Sequence, residues 1–137
     1  MSTNWAEDIN KMHDKFGVHD WFQANRGDKD LMRKFLMFRM LMVGEEYQET
    51  LSAINNSDAE EVVDGLIDLC VFAIGTLDVM GVDANKAWDA IYEANMAKEP
   101  GVKPGRPNRF GLPDLIKMSG WTPPSHKGNH GDINVSL

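Results

Sequence analysis

A chain of 137 residues suits one domain with a core of its own and is short for an enzyme with a deep pocket, so completion by further copies is expected. Its 21 acidic side chains against 14 basic ones give a net charge of -7, which argues against a non-specific nucleic-acid binder. The single cysteine, Cys70, excludes a disulfide within the chain and reads as a small buried hydrophobe in a reducing compartment.

The opening stretch MSTNWAEDINKMHDKFG has no apolar segment of the kind a secretory leader needs. No run of about 18 uncharged apolar residues occurs, so no membrane span is expected. The expectation is a soluble, cytoplasmic protein, in the host cytoplasm if viral, with neither nucleic acid nor membrane as partner.

A first helix is predicted over Asn4 to Phe16, with Trp5, Ile9, Met12 and Phe16 as one apolar stripe and Gly17 as its stop. The stretch VHDWFQANRGD reads as a loop ending in the turn signal Arg26-Gly27-Asp28. A second helix is predicted from Lys29 to Ile54, capped by Asp28, with Leu31, Phe35, Phe38, Met42 and Leu51 as apolar positions. NNSD breaks it. A third helix starts at Ser57, where Ser57-Asp58-Ala59-Glu60 has the spacing of a capping box, and ends near Met80 before Gly81. A fourth runs from Asp83 to Lys98, with Ala87, Ile91 and Ala94 along one side.

The helical core is thus expected over about residues 4–98 of a single domain covering 1–137. Beyond it the composition turns to Pro, Gly, Lys and Arg, and about 99–137 reads as an irregular or extended arm, with a short helical turn at Pro113 to Met118. No alternating strand pattern stands out. The fold class is all-α: a four-helix bundle with a C-terminal arm.

The chemistry is carried by carboxylates. On the second helix Glu45, Glu46 and Glu49 are spaced three and four apart and project to one side. On the third, Glu61, Asp64 and Asp68 form a second acidic stripe inside an apolar run. The short connection makes the two helices antiparallel neighbours whose stripes can face each other. Like charges so placed destabilise a helix unless cations neutralise them, and clustered carboxylate oxygens suit Mg²⁺ or Mn²⁺. No His or Cys stands among them, which argues against zinc there and against a di-iron bundle. A solvated acidic face remains the alternative for Glu45, Glu46 and Glu49 taken alone.

The order Glu-Glu-x-x-Glu, then Glu-x-x-Asp, resembles the MazG-like all-α nucleoside triphosphate pyrophosphohydrolases. FRMLMVGEEYQE, EVVDGLIDLCVFAIGTLDVMGVD, EANMAK and IKMSGWTPP match family segments in order, covering roughly residues 30 to 124. Ala94 stands where the subgroup has a serine. The apolar load of Phe35, Leu36, Met37, Phe38, Met40, Leu41, Met42 and Val43 exceeds what one helix face can bury, so a homodimer or homotetramer is expected. The resemblance is to the short single-domain type often found in phages.

It also implies Glu45, Glu46, Glu49, Glu61 and Asp64 as metal ligands for Mg²⁺, with Mn²⁺ as a substitute. Asn95, Lys98 and Lys117 would contact phosphates, Lys117 by closure of the arm over the site. Arg39 would either offset pyrophosphate charge or pair with a core acid. Asp68 is either a group behind the ligands or an intersubunit salt bridge. The reaction implied is hydrolysis of a (deoxy)nucleoside triphosphate to the monophosphate and pyrophosphate, with Glu46 as base and Glu49 second. His13, Phe16, Trp21, Phe22 and Asn25 are candidates for the base, and a purine such as that of dGTP or GTP is the expected preference. Alternatives are a phosphoribosyl-ATP or dUTP pyrophosphohydrolase of the same superfamily, a non-catalytic metal- or nucleotide-binding helical module, and a helical interaction protein with surface acids.

Overall fold

A computed structural model describes residues 1–137. The chain forms α1 (Trp5–Lys15), α2 (Val18–Asn25), α3 (Lys29–Asn55), α4 (Ala59–Val79), α5 (Ala84–Met96), β1 (Glu99–Gly101), β2 (Asp114–Ile116) and the one-turn α6 (Ile133–Ser136). It divides into two compact units, Met1–Ala84 with His130–Leu137, and Asn85–Asn129.

In the first unit the helix starts follow side-chain capping. The Asn4 side chain accepts from the Glu7 N–H at 3.2 Å, Asp28 from Leu31 at 3.0 Å, and Asp58 from Glu61 at 3.2 Å. Each satisfies one backbone donor that the first helical turn leaves unpaired. The cap of α4 is therefore Asp58, not Ser57, which sits at φ 57° in the turn before it.

Residues 18–25, predicted as a loop, are helical. Gly17 at φ 73° ends α1 and lets the chain restart at once as α2. Val18 and Phe22, four apart, point into the core, and that spacing is the helical signal the turn residues after Asn25 obscured. The core cluster is Phe22, Met32, Val79 and Met80, with Val18, Leu31, Phe35 and Ile133 packed around it.

The predicted α1 stripe is buried only at Ile9; Trp5, Met12 and Phe16 are exposed. The face of α1 that meets α4 carries Ile9, Asn10 and His13 instead, because polar contacts to Asp78 set the rotation of the helix. On α3, Phe38 and Leu51 are likewise exposed and Met32 is fully buried.

α3 and α4 form the main helix pair. Thr50 meets Gly65, and Arg39 reaches back to Thr76, so the two run antiparallel. At Gly65 the backbones approach closely: a Cβ there would lie 2.2 Å from Thr50 Oγ1. The Thr50 hydroxyl in turn donates to the Glu46 carbonyl at 2.7 Å.

The last eight residues return to this unit. The Asp132 N–H donates to the Met80 carbonyl at 2.7 Å, Asp132 pairs with Arg26 at 2.8 Å, and Arg33 donates to the Leu137 carbonyl at 2.6 Å. Gly131, at φ 51°, lies so close that a Cβ would fall 2.1 Å from the Met80 oxygen. This end of the arm is helical and packed, where an extended segment was expected.

In the second unit α5 is followed by an antiparallel ribbon pairing Glu99 with Ile116, Pro100 with Leu115 and Gly101 with Asp114. The helical turn predicted at Pro113 to Met118 is thus β2. Its pairing partner is some fifteen residues earlier, which a local reading of residues 113–118 does not reveal. The Trp121 indole N–H donates to the Ala94 carbonyl at 2.7 Å and fixes the ribbon's continuation to α5.

Candidate active site

The α3–α4 contact at Thr50 and Gly65 sets the spacing of the acids on either side of it. Glu46 is the half-buried member of its group, while Glu45 and Glu49 are exposed. Its carboxyl is held above the usual carboxylate range, first by burial and then by the charges of Asp68, Glu49, Asp64 and Glu45. Carboxylates of both helices thus act on one group, as facing acidic stripes require. Asp68 belongs to this field from within α4.

Beside these acids is an open groove of ≈ 370 Å³ lined by Gln48, Glu49, Ser52, Ala53, Asn56, Asp58 and Glu61. Its walls include one acid from each stripe. The donor set of Glu45, Glu46, Glu49, Glu61 and Asp64 is all carboxylate oxygen. That is the chemistry a hard divalent cation fits.

Arg39 is committed to α4. Its Nε donates to Thr76 Oγ1 at 3.0 Å and its Nη2 to the Phe72 carbonyl at 3.3 Å, with the guanidinium 5.2 Å from the Phe72 ring centroid. Burial lowers its pKa. Its partners are a hydroxyl, a carbonyl and a ring, so the expected pairing with a core acid is replaced by packing. Gly75 makes room for it: a Cβ there would lie 2.6 Å from Arg39 Nη2 and 3.3 Å from His13 Cε1.

In the second unit the residues assigned to phosphates gather around Trp121. Lys98 Nζ donates to Asn95 Oδ1 at 2.9 Å, and Lys98 and Lys117 stand 5.4 and 4.9 Å from the Trp121 ring centroid. Two cations on one aromatic platform, one of them bonded to the Asn95 amide oxygen, make a compact anion-attracting group.

The candidates for the base are dispersed. Trp21 packs on Phe35 with ring centroids 5.1 Å apart, Asn25 donates to the Trp21 carbonyl at 2.7 Å, and Phe16 is exposed beneath Lys15. Phe22 is a core residue, 3% exposed. His13 is tied to Asp78 at 2.6 Å. His19 and Asp78 meet it there, a cluster not singled out in the sequence, where the two histidines and the aspartate are far apart along the chain.

An all-α chain with Glu-Glu-x-x-Glu and Glu-x-x-Asp on antiparallel helices fits the MazG-like all-α pyrophosphohydrolase superfamily. Residues 18–95 match the family model of phosphoribosyl-ATP pyrophosphohydrolase, and the chain belongs to that family, itself a branch of the MazG-like superfamily. The matched span contains α2, α3, α4 and nearly all of α5, and with them all six acids. A search of curated proteins found no match. Membership supports pyrophosphohydrolase activity on nucleotides.

Proposed function

We propose that the chain hydrolyses a nucleoside triphosphate, ribo or deoxy, at the bond between the α- and β-phosphates, releasing the monophosphate and pyrophosphate. What supports this reading is the family match together with six carboxylates on α3 and α4, which pack against each other at Thr50 and Gly65. Glu45, Glu46, Glu49, Glu61 and Asp64 would hold Mg²⁺, or Mn²⁺ in its place, which when bound neutralises phosphate oxygens and acidifies water. Glu46 is assigned the proton of the attacking water. Glu49 is the second choice for this role. Asp68 tunes Glu46 through its charge. Asn95, Lys98 and Lys117 offset charge on the triphosphate.

The purine preference, dGTP or GTP, is part of the proposal, with Trp21, Phe16 and Asn25 as the residues to vary. A second reading, phosphoribosyl-ATP as substrate, is favoured by the family match and follows the same bond-breaking chemistry. We further propose that the protein works as a homodimer or homotetramer. Met37, Phe38, Met40 and Leu41 on α3 and Leu66 and Ile67 on α4 are exposed in the single chain, an apolar surface that a second copy would cover. A cytoplasmic location is proposed with it.

Pyrophosphate release should be measured with Mg²⁺ against all dNTPs, all NTPs and phosphoribosyl-ATP. Turnover of at least one, lost in Glu46→Gln, is expected. No turnover of any sinks the reading, and turnover of dUTP alone refutes the purine preference.

A further inference from the structure

We propose that His13, His19 and Asp78 form a second metal site, for a borderline divalent cation of the Zn²⁺ type, separate in residues and chemistry from the carboxylate pair. The site joins three helices. His13 comes from α1, His19 from α2 and Asp78 from the last turn of α4. One donor atom from each lies within 4.8 Å of the other two.

The contacts converge on one oxygen. Asp78 Oδ2 is 2.6 Å from His13 Nδ1 and 2.7 Å from His19 Nε2. The other oxygen, Asp78 Oδ1, accepts from the Asn10 amide at 2.7 Å. His19 Nδ1 faces Asp14 Oδ1 at 2.5 Å. His19 therefore has a carboxylate oxygen at each ring nitrogen, and a neutral imidazole has only one N–H to offer. With that hydrogen directed to Asp14, the lone pair on Nε2 points at an anion. A cation between them removes the conflict; a second proton is the competing solution, and the raised pKa of His19 reflects the same demand.

The arrangement matches how metal-binding histidines are held. Asp14 behind His19 orients the ring and fixes the tautomer, as a carboxylate does behind a zinc-bound imidazole. Asn10 holds the carboxylate of Asp78 in the same way. Two nitrogens and one carboxylate oxygen are the donor set of an open tetrahedral site, with the fourth position for water. With bonds of about 2.0–2.1 Å, tetrahedral donors stand roughly 3.3 Å apart, so the present contacts need to open by about 0.7 Å. The side chains of His13 and Asp78 are 13% and 12% exposed and that of His19 25%, enclosed yet reachable. Mg²⁺ prefers oxygen and would not compete here, just as the carboxylate pair offers no nitrogen. A filled site would clip α1 and α2 to α4.

The test uses the full chain, stripped with a chelator and kept in excess Mg²⁺ to occupy the carboxylates. Co²⁺ is the probe. One equivalent is expected to bind with the intense visible bands of tetrahedral coordination and to be displaced by Zn²⁺. His19→Gln and His13→Gln should abolish the bands, Asp14→Asn should weaken binding about 10- to 100-fold, and Glu45→Gln with Glu49→Gln should leave it unchanged. Weak octahedral bands that persist in His19→Gln overturn the proposal. Independently of any variant, ¹⁵N spectra of the wild-type imidazoles should show Zn²⁺ shifting His19 Nε2 and His13 Nδ1. A doubly protonated His19 that ignores Zn²⁺ means that the cluster is held by protons alone, and the proposal fails.

Discussion

Adding one methyl group at Gly65 tests whether the spacing of α3 and α4 governs the acidic cleft. In Gly65→Ala the new Cβ would lie 2.2 Å from Thr50 Oγ1 and 3.3 Å from Thr50 Cβ. Thr50 is β-branched, 5% exposed and bonded to the Glu46 carbonyl, so its hydroxyl has little room to turn away. The helices must part locally by roughly 1 Å. Overpacking of this kind costs about 1–3 kcal/mol, and the better helix propensity of alanine returns about 1 kcal/mol. The net loss is therefore about 0–2 kcal/mol, a few degrees in Tm. The effect on turnover should be larger, because Asp64 adjoins Gly65 and a 1 Å misplacement in an active site can cost about 100-fold. Urea unfolding and pyrophosphate release, measured on Gly65→Ala, Thr50→Ala and the double variant, separate the two effects. Removing the hydroxyl leaves the contacts at 3.3 and 3.6 Å to Thr50 Cβ and Cα, so the double variant should recover most of the turnover lost by Gly65→Ala. Wild-type turnover in Gly65→Ala, or no recovery in the double variant, refutes the spacing argument.

Glu46→Gln should lower kcat by at least about 100-fold, the scale of general-base catalysis, with the fold intact by circular dichroism. Mn²⁺ should raise Tm by binding the folded state, and Glu45→Gln with Glu49→Gln should remove that rise. For the chain free of transition metal, stability should peak at mildly acidic pH. His19 is raised, so its contribution is complete below its unfolded pKa of about 6.5 and is lost as pH climbs through the folded value. For Asp78 burial is the largest single effect and raises the pKa, but the hydrogen bonds from Asn10, His13 and His19 together outweigh it and lower it, so its contribution holds above about 3.8 and is lost as pH falls through the folded value. A flat Tm between pH 5 and pH 8 (about one and a half units either side of the ordinary histidine pKa) would contradict this. Gly131→Ala combines a left-handed φ with a Cβ 2.1 Å from the Met80 oxygen and should cost about 2–4 kcal/mol in thermal or urea unfolding.

The long helices were legible because their signals are local. Asp28 caps α3 as its spacing predicts, and the acids at 45, 46, 49, 61, 64 and 68 lie on helices that pack as the short NNSD connection requires. α2 was missed because its two core residues are flanked by Gly17 and by Arg26-Gly27-Asp28, which read as turn on both sides. β1 and β2 stabilise each other across a loop and have no independent pattern. The side of α1 that faces inward was misread for a related reason. Hydrophobic spacing selects Trp5, Ile9, Met12 and Phe16, but the helix is turned by Asn10 and His13 bonding to Asp78, sixty-odd residues away. The approach of Gly65 to Thr50 is likewise a property of the pair. Nothing in either helix alone assigns the small residue to its partner.

The hydrogen bond from Asp132 to Met80 has a consequence for how this chain can be rearranged. The polypeptide leaves its first unit after Ala84 and re-enters it at His130, within a few residues of where that bond is made. Residues 85–129 are in this sense a cassette, with both splice points stapled to the same body. The Asp132–Met80 hydrogen bond thus ties the returning chain to the point from which it left.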